Sequence, residues 1–148
     1  MDRIIELEQA QAAMLVELKR LQNAPVGATD AKELFASAKS HFDQKEYDKA
    51  IGVFTQYLAL KKAPQAEEAT FLRGEAYYAL KDYKKAIADY SKFQEKYTTS
   101  PKNGVALYKI GLSFEALGMK EEAKTFYQEL IDKFPKSAEA KAARKRAK

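Results

Sequence analysis

Gly74-Glu75-Ala76-Tyr77-Tyr78-Ala79-Leu80-Lys81-Asp82-Tyr83-Lys84-Lys85-Ala86-Ile87-Ala88-Asp89-Tyr90 is the stretch on which the fold turns, because its spacing recurs on both sides of it. Upstream, Tyr47-Asp48-Lys49-Ala50-Ile51 matches Tyr83-Lys84-Lys85-Ala86-Ile87; downstream, Lys120-Glu121-Glu122-Ala123-Lys124 is a weaker copy. The alanines Ala50, Ala86 and Ala123 stand 36 and then 37 residues apart. The same two intervals join Ala38, Gly74 and Gly111; His41, Tyr77 and Phe114; Phe54, Tyr90 and Tyr127; and Tyr57, Phe93 and Leu130. Each unit therefore reads small, aromatic, Ala, aromatic, large, with a polar turn between the first aromatic and the Ala. Those turns are Asp43-Gln44-Lys45-Glu46, Leu80-Lys81-Asp82 and Leu117-Gly118-Met119. A small residue lets a neighbouring helix approach and the rings fill the space beside it, so each unit is predicted to be a helical hairpin. Pro25, Pro64, Pro101 and Pro135 punctuate the hairpins, with Ser100 and Ser137 as candidate N-caps.

The composition agrees with an all-α chain. Among 148 residues there are 6 Gly and 4 Pro, while Ala, Lys, Glu and Leu abound. The absence of Cys excludes disulfides, thiolate metal sites and thiol nucleophiles, and the single His, His41, leaves no imidazole pair. His41 fills a column that is aromatic in the other two units, which reads as packing rather than chemistry. No acid/base dyad, phosphate loop or metal motif stands out, so no catalytic residue, metal ligand or cofactor is assigned and the chain is read as a non-enzyme. The net charge of +5 sits wholly in residues 136–148; the remainder is neutral, which argues against a nucleic-acid-binding body. That basic end has two readings, a solvated capping helix with charge suited to a helix C-terminus, or a contact for anionic lipid, glycan polymer or nucleic acid.

All 17 Phe and Tyr residues lie between Phe35 and Phe134. The aromatic-free residues 1–22 read as one helix, with Ile4, Leu7, Gln11, Met14, Leu18 and Leu21 on the a and d positions of one heptad frame. Leu15 and Ala10 widen this stripe, which suits three strands better than two, and Gln11 would help fix register. Residues 23–29, containing Pro25 and Gly27, are the expected linker, and Asp30-Ala31-Lys32-Glu33 reads as a capping box. The expected organisation is a coiled-coil oligomerisation helix at 1–22, a linker at 23–29, and at 30–148 three hairpins with a C-terminal capping helix.

The columns resemble the tetratricopeptide repeat over roughly residues 31–135. Two departures stand out: the spacing exceeds the usual unit, and Leu34, Thr70 and Leu107 occupy a place that is often aromatic. The order of arm, linker and three long-spaced repeats narrows the resemblance. So does the third repeat, from Ala106-Leu107-Tyr108-Lys109-Ile110-Gly111 to Leu130-Ile131-Asp132-Lys133-Phe134-Pro135-Lys136-Ser137. Both are similar to the Tol–Pal-associated periplasmic CpoB/YbgF family. That resemblance implies a homotrimer joined by its coiled coil, binding to TolA, and help in coupling peptidoglycan synthesis by a class A penicillin-binding protein to outer-membrane constriction at division. It implies a periplasmic location and hence a leader upstream of Met1; without one, the alternative is a cytoplasmic adaptor binding peptide segments.

Stacked hairpins line a groove chiefly with their first helices. In that frame the partner-binding candidates are Phe35, Lys39, Phe42, Phe71, Glu75, Tyr78, Tyr108 and Leu112, aromatic anchors beside charge. A two-carboxylate clamp of Lys, Asn and Arg is matched at its expected places only by Lys109. The arm yields the first prediction. Light scattering should report a trimer for the intact chain and a monomer for residues 30–148, and Leu7→Asp with Leu18→Asp should give a folded monomer.

Overall fold

The computed structural model describes residues 11–13 and 28–148. Gln11–Ala13 are helical and exposed; the remainder of the predicted oligomerisation helix, with Ile4, Leu7, Met14, Leu18 and Leu21, and residues 23–27 of the linker lie outside the described residues. From Ala28 the chain forms α1 (Ala28–Asp43), α2 (Tyr47–Leu58), α3 (Ala66–Ala79), α4 (Tyr83–Lys96), α5 (Asn103–Ala116), α6 (Lys120–Lys133) and α7 (Ala138–Arg146). Each odd helix pairs with the next as a hairpin, the hairpins stack through α2 on α3 and α4 on α5, and α7 closes the array against α6 and α5. All described elements are helices, and none is long and apolar enough to cross a membrane.

The repeated columns become the core. Ala38, Ala50 and Ala86 are fully buried and Ala123 nearly so; Phe54, Tyr90 and Tyr127 are fully buried, as are Phe93 and Leu130, with Tyr57 almost so. The glycine positions show why the first column must be small. A Cβ on Gly111 would stand 2.3 Å from the Tyr127 ring, and one on Gly74 would stand 3.3 Å from Tyr90. The turns form a further shared column: Lys45, Lys81 and Gly118 have φ of 63°, 64° and 78°. Only the third turn uses the residue that reaches this region without strain.

The ends differ in part from the sequence reading. Ser137 caps α7 as expected, accepting from the Ala140 amide at 3.0 Å. Ser100 does not cap α5; its hydroxyl accepts from the Lys102 amide at 3.2 Å and holds a turn before the helix, which begins at Asn103. Asp82 caps α4 by accepting from the Lys85 amide at 3.4 Å, a role the sequence reading did not assign. Ala28 and Thr29, expected in the linker, are already helical, so Asp30 lies inside α1 and is not its N-cap.

The first two hairpins are joined by a polar staple. Arg73 on α3 grips Asp89 on α4 with Nε–Oδ2 at 2.8 Å and Nη2–Oδ1 at 2.6 Å, and its Nη1 reaches the Thr55 hydroxyl on α2 at 3.3 Å. Asp89 is 2% exposed, so this fork supplies the partner its burial demands. His41, half-buried, keeps its place in the aromatic column with Nδ1 at 3.2 Å from Glu46 Oε1.

Two glycines should respond with opposite sign to one substitution. Gly111→Ala gains helix propensity but drives a methyl into a fully buried ring, a net loss of about 1–2 kcal/mol. Gly52 lies mid-helix in α2 with nothing within 4 Å of an added Cβ. Gly52→Ala should therefore gain about 0.5–1 kcal/mol. Urea denaturation of both variants checks the pair.

Candidate partner-binding groove

The eight groove candidates divide into three groups. Phe35 and Phe71 are core residues: they are 6% and 8% exposed. Phe35 packs on Phe54 and Tyr57, with centroids at 6.2 and 5.4 Å, and Phe71 on Tyr90 and Phe93, at 5.9 and 5.3 Å. The Lys102 ammonium sits 5.0 Å over the Phe71 ring and covers its remaining face. Neither ring presents an anchor to a partner. The residue before each ring differs in burial as well: Leu34 and Thr70 are half-buried, whereas Leu107 is 1% exposed. Tyr108, the ring of the third unit, is half-buried, 6.1 Å from Tyr127.

Lys39 and Phe42 form a separate group on α1. Phe42 leans edge-on against Tyr47 at 5.5 Å, and exposed Lys39 pairs with Glu68 on α3 at 3.4 Å. A solvent-facing pair of this kind contributes little stability and yields readily to a partner.

The third group gathers across α3, α5, α6 and α7. Tyr78 lies edge-on to Tyr83 at 5.6 Å and beneath the Lys109 ammonium at 4.3 Å. Burial first, and then Tyr83, push its hydroxyl above the ordinary tyrosine pKa. Glu75 accepts from the buried Tyr90 hydroxyl at 2.5 Å, and burial followed by that carboxylate's charge pushes the Tyr90 pKa far up. Arg146, from the basic end, reaches back to Glu115 at 2.6 Å. The Tyr108 hydroxyl beside it is the main cause raising the Arg146 pKa. Leu112, half-buried on α5, completes the candidates. The surface so formed carries two half-buried tyrosines, two cations and two carboxylates. That chemistry suits an apolar segment flanked by charge. Among the described residues no cluster could hold a metal ion.

Residues 35–103 and 105–137 match models of the tetratricopeptide repeat. The chain is a tetratricopeptide-repeat protein. Its repeats superpose on the first repeat domain of Spaghetti (RPAP3) bound to the HSP90 peptide SRMEEVD, at 25% identity over 84% of this chain and 96% of that one, with a TM-score of 0.64. The Sgt2 repeat domain from Aspergillus fumigatus is also 25% identical, over 84% of this chain and 79% of its own, with a TM-score of 0.62. The N-terminal domain of stress-induced protein-1 from C. elegans, at 14% identity, 83% and 100% coverage and a TM-score of 0.68, shares the fold. No curated protein sequence matches the chain. The matched repeats are protein-interaction modules, and no catalytic family is among the matches.

In this repeat protein the residues missed by sequence reasoning are Lys109, Glu115 and Arg146 as members of one groove. Lys109 was weighed only as part of a carboxylate clamp. Arg146 reaches Glu115 across 31 positions of chain, and no local pattern encodes that contact. The two buried tyrosines of the repeat column should separate in a melting experiment. Tyr90→Phe deprives Glu75 of its donor and should cost about 1 kcal/mol. The Tyr127 hydroxyl has no hydrogen-bond partner, so Tyr127→Phe should leave the melting temperature unchanged or slightly raised.

Proposed function

We propose that this repeat protein is a non-enzymatic scaffold that recruits a protein segment along the groove between α3, α5 and α7, with Tyr78 and Tyr108 as anchors. The observation that carries the reading is the placement of these two half-buried rings beside Lys109 and Arg146. Each ring offers apolar area and a polar edge, which makes it fit to be covered. Glu75, Leu112, Lys39 and Phe42 extend the contact, and the last two require a partner that continues to α1.

The finer assignment is to the bacterial envelope: a periplasmic homotrimer that binds a TolA-like partner and helps coordinate a class A penicillin-binding protein with outer-membrane constriction at cell division. Its support is the arm–linker–repeat order and the third-repeat sequence. The other reading is a cytoplasmic adaptor for extended peptides, and what favours it is the likeness to the Spaghetti domain bound to SRMEEVD. The side chains at the clamp positions favour the first. Of those positions only Lys109 carries a side chain that the clamp calls for, and it lies over Tyr78.

Titration calorimetry with a soluble TolA domain, set beside SRMEEVD, tests both. The envelope reading expects TolA to bind, Tyr78→Ala and Tyr108→Ala each to weaken it by about 1–2 kcal/mol or more, and circular dichroism to show both variants folded. Full-strength binding by two folded variants removes the groove from the interface. Binding of SRMEEVD alone selects the adaptor.

A further inference from the structure

Where α6 meets α7, an open cleft of about 530 Å³ adjoins the groove. It is lined by Lys120, Lys124, Lys148, Arg146, Glu115 and Tyr127. Its one carboxylate is already taken, since Arg146 holds Glu115 Oε2 at 2.6 Å. That leaves three ammonium groups. Lys124 has only Glu121 at 3.9 Å, whose side chain is 87% exposed, and Lys120 and Lys148 have no ion-pair partner among the described residues.

The cleft also holds a buried donor with nothing to donate to. Tyr127 is fully buried, and its hydroxyl makes no hydrogen bond. Glu115 is the neighbouring carboxylate, and burial first and Glu115 second keep the phenol protonated. The repeat supplies the comparison. In the second unit the same column is Tyr90, and its hydroxyl donates to Glu75. One unit later Glu75 is replaced by Leu112, so the hydroxyl persists where its acceptor has been lost. A buried, unsatisfied hydroxyl is costly unless something outside the chain completes it.

We propose that this cleft receives an acidic side chain of the protein segment bound in the groove, its carboxylate accepting from Tyr127 and lying among Lys120, Lys124 and Lys148. The proposal rests on the groove reading above and fixes the composition of the partner: an apolar block over Tyr78 and Tyr108, then an acidic block over the α6–α7 end. Arg146 joins the two, because it touches Glu115 in the cleft and stands beside Tyr108 in the groove.

The test uses the full chain and two fluorescent peptides. One has an apolar block followed by a Glu-rich block; the other is the same peptide with every Glu changed to Gln. Fluorescence anisotropy should show the acidic peptide binding about tenfold more tightly, with an advantage that shrinks as salt rises. Tyr127→Phe and the double variant Lys120→Gln/Lys124→Gln should each remove most of that advantage while leaving affinity for the Gln peptide and the melting temperature unchanged. Equal affinity for the two peptides, both still weakened by Tyr78→Ala, would overturn the cleft and leave the groove standing. Binding of neither peptide, or binding indifferent to Tyr78→Ala and Tyr108→Ala, would overturn the groove reading and this proposal with it. Displacement of the acidic peptide by single-stranded DNA at lower concentration than by free acidic peptide would assign the cleft to nucleic acid and overturn it as well.

Discussion

Every hairpin is built on one contact, the seating of a buried ring on a residue with little or no side chain. Gly111 lies so close to the Tyr127 ring that no Cβ fits between them, and Gly74 stands almost as tightly against Tyr90. This sets the distance between the two helices of a unit. Once it is set, Ala50, Ala86 and Ala123 must also be small, and Tyr57, Phe93 and Leu130 must fill what remains. The contact is repeated at 36 and 37 residues, so the array is held by the same constraint three times rather than by one large core. The extra loop length falls between units, where the Tyr57 hydroxyl accepts from the Gln65 amide at 2.8 Å across the first loop.

Polar groups inside such an array need partners from neighbouring helices, and the chain meets this unit by unit. In the second unit Asp89 has Arg73, and Tyr90 has Glu75. The Arg73–Thr55 bond carries the first of these networks back to the preceding hairpin. In the first unit the column residue is Phe54, which asks for nothing. In the third, Tyr127 keeps its hydroxyl but faces Leu112. The array thus passes from an apolar end, through a satisfied polar middle, to an unsatisfied polar end beside the basic helix. That gradient places the chemistry at α5–α7.

The periodic part of this architecture was legible in the sequence, because each column reports a local steric need that recurs. Hairpins, turns, capping helix and buried rings all follow from it. The burial of Phe35 and Phe71 was not, since the same column holds the half-buried Tyr108 and residue type does not separate the two outcomes. The Ser100 turn escaped for a similar reason. A serine before Pro101 is as good a sign for a capped turn as for a capped helix, and what decides is the burial of Asn103, whose side chain donates to the Tyr97 carbonyl at 2.8 Å. The basic end was legible as charge but not as a site, because Arg146 finds Glu115 only when α7 folds back across α5.

That fold-back gives α7 a second role. As a closing helix it needs only an apolar inner face, which Ala140 and Ala143 provide by being fully buried. Arg144, Lys145 and Arg146 lie exposed, outside that buried face. Arg144 returns to the Pro135 carbonyl at 2.9 Å and steadies the helix on its own loop. Arg146 instead neutralises Glu115, without which the carboxylate would repel an acidic ligand from the cleft. In the proposed cleft one helix thus has two tasks: Ala140 and Ala143 shield the core, and Arg146 neutralises Glu115 beside Lys120, Lys124 and Lys148, an arrangement matched to an anionic partner.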